Sequence, residues 1–126
     1  MELILLPGVF AICHLSRFQG VPQWAWEQKD FLSITYTADE LSIVCPIEVV
    51  PPDIECEQPW SAIKVLGPLD FSLTGILASL LAPLAAGAIS IFAVSTFETD
   101  YILVHEQDAL SAKSLLEHEG HTFALV

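Results

Sequence analysis

Three stretches of this chain set histidine beside residues that could act with it: Cys13-His14, Glu117-His118-Glu119-Gly120-His121, and His105-Glu106, which sits at a strand end and reads as exposed. A thiol and an imidazole form a nucleophile–base pair only when they face each other. Cys13 and His14 lie in a run, 9–15, that reads as a strand, where neighbours point to opposite faces. They are therefore not expected to act on one another. His118 and His121 straddle Gly120, which reads as a helix stop, so a solvated helix end is expected in place of a metal site. The glycines Gly67 and Gly75 lack the Lys-Ser/Thr pair of a phosphate loop. The acidic cluster Asp53-Ile54-Glu55-Cys56-Glu57 reads as a solvated linker. Cys13, Cys45 and Cys56 have no ligand-like spacing and read as reduced core thiols. No catalytic set, metal site or cofactor is expected.

A binding site for a zwitterion is a better match to the residue types. Such a ligand needs an anion site and a cation site a few ångströms apart. A helix start offers unpaired N–H groups and the positive end of the helix dipole to a carboxylate. A helix is expected over 72–86, because Leu73, Leu77, Leu80 and Leu84 form one stripe. Gly75 lets a ligand approach its backbone. Asp100 could accept from an ammonium, Thr96 can donate or accept, and the Phe97 ring could close an apolar wall. Each has a plainer reading: Asp70 as a helix cap, Asp100 as a turn residue, Gly75 as a close helix–sheet contact.

The elements that would hold these residues can be read in order. A strand over 60–66 leads through a Gly-Pro turn to the helix over 72–86, started by Asp70 or Ser72 and ended by Gly87 with a positive φ. Pro83 should kink its last turn. Strands over 89–96 and 101–104 are joined by the short Glu98-Thr99-Asp100 turn. A second helix over 109–119 and a strand over 121–126 follow. The order is β-α-β-β-α-β, an α+β, ferredoxin-like unit with two helices on one face of an antiparallel sheet. The first half is a looser version. It has a strand over 9–15, a short helix around Trp24 and Trp26, a hairpin of 31–37 and 41–45, and a Pro- and acid-rich linker over 46–59.

Phe71 to Phe97 carries no charged residue. The run is long enough to span a bilayer, but Gly75, Pro83 and Gly87 interrupt it and its flanks are acidic, so a buried helix and strand are expected instead. A formal net charge of −12, from 4 basic and 16 acidic residues, argues against nucleic acid and anionic membrane surfaces. The apolar content of 53% points to an extra buried surface, most simply an oligomer interface. Met1 to Leu6 lacks the basic start of a signal peptide, and a cytoplasmic location is expected. Trp24, Trp26 and Trp60 read as core or interface residues.

The segment from Gly67 to Leu84, GPLDFSLTGILASLLAPL, resembles the first helix of ACT domains, in the branch of small bacterial tandem proteins, aspartokinase-like regulatory domains and arginine sensors. Ile89 to Val104 is similar to that branch's strand-turn-strand, and Leu41-Ser42-Ile43-Val44-Cys45-Pro46 to the end of its truncated N-terminal unit. The resemblance implies an N-terminal ACT-like unit over 1–58 and a full ACT domain over 59–126. It implies a non-catalytic, allosteric regulatory protein that binds an amino acid and pairs as a homodimer. The ligand contacts it implies are Asp70, Leu73, Thr74, Gly75 and Ile76 at the helix start, and Thr96, Phe97 and Asp100 at the hairpin. Arginine-binding relatives carry an acidic residue where this chain has Leu73, which counts against arginine as the ligand. The alternative is an interaction module with no small ligand, docking an enzyme or transporter.

Overall fold

A computed structural model describes residues 1–67 and 74–125. The chain divides into two compact units, Gly8–Trp60 and a second made of Met1–Pro7 together with Ser61–Val126.

The second unit holds β1 (Glu2–Leu5), the end of β5 (Cys56–Val65), α1 (Ile76–Ala86), β6 (Ile91–Ser95), β7 (Asp100–His105), α2 (Ala109–His118) and β8 (Thr122–Phe123). From β5 onward this is the βαββαβ order expected. The strands lie in the order β8-β1-β5-β7-β6. No strand is expected at residues 2–5 from the sequence, yet β1 slots between β5, antiparallel, and β8, parallel. Leu3 is fully buried there. Both helices cover one sheet face. Leu80 and Leu84 of α1 and Ala109, Ala112 and Leu116 of α2 join Leu3, Ile63, Val65, Ile102 and Val104 in a single apolar cluster. Period-two alternation along the strands puts these side chains on the same side.

Two helix boundaries differ from expectation. α1 begins at Ile76, because Gly75 takes φ 76° and stands outside the helix as its N-cap. Its end is not closed by a left-handed Gly87, which has φ −85°; Ala88 takes the positive φ of 59°. Gly87 is needed for another reason. A Cβ there would lie 2.5 Å from Leu115 Cδ1 on α2, so the glycine is what lets the two helices approach. Gly120, at φ 94°, ends α2 as expected. The last strand is shorter than expected, Thr122–Phe123, because only these residues register with β1.

The first unit holds β2 (Phe10–Leu15), β3 (Ser33–Tyr36), β4 (Leu41–Pro46) and the start of β5, in the order β3-β4-β2-β5 with antiparallel pairs. A single 3-10 turn at Gln23–Trp26 stands for the short helix. The expected linker ends early, since β5 already begins at Cys56. Ile12 pairs with Glu57 and Phe10 with Trp60, so Gln58 and Pro59 together oppose Ala11. This bulge is what admits a proline, which has no N–H to give a ladder. Trp60 is buried, Trp24 packs partly on the core, and Trp26 is exposed. The core gathers Ala11, Cys13, Leu15, Leu41, Ile43 and Cys45, with Cys56 against it. Hydrogen bonding with Cys45, and then burial, push the Cys13 thiol up, while the same bond with Cys13 lowers Cys45. His14, on the opposite face from Cys13, bonds Glu55 through Nδ1 at 2.9 Å.

Candidate functional site

The expected ligand residues fall at two places in the second unit. Asp70 and Leu73 lie outside the described residues. Thr74 and Gly75 are exposed and lead into Ile76, the first residue of α1. Gly75 is in the left-handed region, and its carbonyl accepts the Ser79 N–H at 2.9 Å, the first bond of the helix. Gly75, as the N-cap residue, has no side chain to cap this end, and Asp70 and Ser72, the expected caps, lie outside the described residues. A Cβ on Gly75 would meet nothing within 4 Å, but φ 76° disfavours any L side chain there. The first-turn N–H groups and the positive helix end favour negative charge at this point.

Thr96, Phe97 and Asp100 are brought together in the turn between β6 and β7. Ser95 and Asp100 form the last cross-strand pair, and the Ser95 hydroxyl donates to Asp100 Oδ1 at 2.6 Å. Thr96 N–H and hydroxyl both donate to the Thr99 carbonyl, at 2.9 and 3.1 Å. Phe97, at the tip, is 80% exposed. Thr99 was not picked out from sequence, but it is buried and its hydroxyl donates to the Val65 carbonyl at 2.6 Å. That bond ties the hairpin to the end of β5, the strand that runs toward the start of α1. The turn composition signals a hairpin, and nothing local signals the partner 34 positions away.

His121 is buried, with Nδ1 3.2 Å from the Met1 amine, while His118 ends α2 in solvent. No cluster of His, Cys, Asp and Glu among the described residues has the geometry to hold a metal ion. None of the described helices is long and apolar enough to cross a membrane.

By class, a βαββαβ unit with both helices on one face is a ferredoxin-like α+β fold. The chain belongs to the ACT-domain family: a family model described as an ACT domain matches residues 55–118. A second model, of an N-terminal domain, matches residues 8–53. The cytosolic arginine sensor for mTORC1 subunit 1 of Bos taurus is 33% identical over 114 residues, covering 81% of this chain and 34% of that protein. The chain thus spans about a third of the length of this curated relative. Among solved structures, a protein of Agobacterium tumefaciens is 42% identical with a TM-score of 0.91, over 99% of this chain and 92% of its own. The regulatory subunit of aspartate kinase from Thermus thermophilus shares the fold, with a TM-score of 0.66 and 12% identity over 95% of this chain and 98% of its own.

Proposed function

We propose that this chain is a non-catalytic regulatory protein of the cytoplasm that binds an amino acid at the start of α1 and the β6–β7 hairpin, and works as a homodimer. The observation that carries the reading is the left-handed Gly75 at the head of α1, an N-cap residue with no side chain of its own to bond the first-turn amides. A carboxylate is the natural partner for such a helix end. Asp100 offers the ammonium partner, with its carboxylate held by Ser95. The family, and a sensor and a regulatory subunit among the similar proteins, support ligand binding as the purpose of this geometry. Binding regulates only by its differential affinity for two arrangements of the protein.

Isothermal titration with the twenty amino acids tests this directly. One of them should give heat at or below millimolar concentration. Asp100→Asn should then weaken it about tenfold, roughly the 1.4 kcal/mol of one charge-assisted bond. Absence of heat from all twenty would leave the interaction module as the better reading. The exposed Phe97 and Leu110 favour that second reading, and capture of an enzyme or transporter from extract would support it.

A further inference from the structure

We propose that Cys13 and Cys56 are a dithiol site that closes to a reversible disulfide between β2 and β5, by exchange with a low-molecular-weight disulfide such as oxidised glutathione. The two cysteines lie 43 positions apart in sequence but directly opposite in the antiparallel ladder. The His14 N–H donates to the Glu55 carbonyl at 2.9 Å, which makes Cys13 and Cys56 a non-hydrogen-bonded pair. Such pairs hold their Cα atoms about 4.5 Å apart, within the roughly 4.4–6.8 Å that a disulfide accepts. Cys45 is placed differently. It pairs with Ala11 on the other side of β2, so it is diagonal to Cys13. Diagonal neighbours stand about 7–8 Å apart, beyond the roughly 6.8 Å that a disulfide spans between Cα atoms, so Cys45 meets Cys13 as a hydrogen-bond partner and not as a crosslink.

Access divides the labour. Cys13 and Cys45 are buried, while Cys56 is partly exposed. Burial pushes the Cys56 thiol up, and the Gln58 side-chain amide, donating to its sulfur at 3.2 Å, offsets part of that rise, so exposure rather than acidity sets Cys56 apart. Cys56 is therefore the sulfur that meets the oxidant. Its thiolate attacks one sulfur of oxidised glutathione, forming a mixed disulfide and releasing one glutathione thiolate. The Cys13 thiol then attacks the Cys56 sulfur, its proton passing to the glutathione thiolate that leaves. Two protein thiols are oxidised and one glutathione disulfide is reduced to two thiols. The buried thiol needs no access of its own, because it reacts only with the neighbour it already faces.

The test is to incubate the 126-residue chain with oxidised glutathione in mildly alkaline buffer, then unfold it and count thiols. The count should fall from three to one, the mass should fall by two hydrogens, and a digest should yield a peptide joining Cys13 to Cys56. Dithiothreitol should restore all three thiols. Cys45→Ser should keep the crosslink, and Cys56→Ser, a change at a partly exposed position, should lose it. Three thiols persisting, a glutathione adduct that stops at Cys56, or a peptide joining Cys13 to Cys45 would each overturn the proposal. The wild-type digest decides even where a serine variant fails to fold.

Discussion

The pair of His14 and Glu55 lies on the solvent face of the first unit, so its consequence is a titration rather than a gain in stability. The hydrogen bond from the ring to Glu55, and then the carboxylate's charge, raise the His14 pKa above 6.5. Whatever the pair contributes is fully present below about pH 6.5 and is lost as pH rises through the folded value. An NMR titration of the His14 ring should show a midpoint above 6.5, and Glu55→Gln should bring it back down. An unmoved midpoint in that variant would remove Glu55 as the cause. At this scale the sequence was legible where the chemistry was local. Cys13 and His14 do point apart, as alternation along a strand requires. Thr99 was not legible, because its partner is a backbone carbonyl on another strand and no side-chain pattern marks it.

α1 shows what periodicity settles and what it leaves open. The leucine stripe identifies the helix and its buried face, because the 3.6-residue repeat is set by the sequence itself. Its two ends depend on space and on φ, which that repeat does not carry. Ala88 stands in the left-handed region at a cost of about 1–2 kcal/mol for an L residue. Glycine there would relieve that cost and lose about 0.4–1 kcal/mol through the freer unfolded chain. Ala88→Gly should therefore stabilise the protein by about 0.5–1 kcal/mol in urea unfolding. Gly87→Ala should destabilise it by about 1 kcal/mol, at the low end of overpacking, because the obstructing atom is the tip of a leucine. An Ala88→Gly variant no more stable than the parent would show that residue 88 carries no left-handed strain. β5 is the other case. Pro59 breaks the strand pattern in sequence, and only pairing with β2 shows that a bulge accommodates it.

For the molecule as a whole, the informative strand is the first one. A short segment such as Met1–Leu6 is ambiguous, since Glu2 is its one polar residue and a single residue does not establish alternation. Its partners lie at the other end, in β5 and β8. Leu3 is fully buried in the cluster under both helices. Leu3→Ala should cost about 3 kcal/mol in urea unfolding, within the range of buried leucine truncations. Hydrogen exchange should show the loss in Ser61–Val126 as well as at the mutated strand, and a change confined to residues 1–7 would show that β1 is only an appendage. The placement of β1 also sets a timetable for a chain emerging from a ribosome. Gly8–Trp60 contains all its own strand partners and can close while the remainder is still being translated. The opening strand can zip to β5 once Val65 has emerged, but its other edge stays bare until Phe123 follows, so one seam of the sheet closes some sixty residues later than the next.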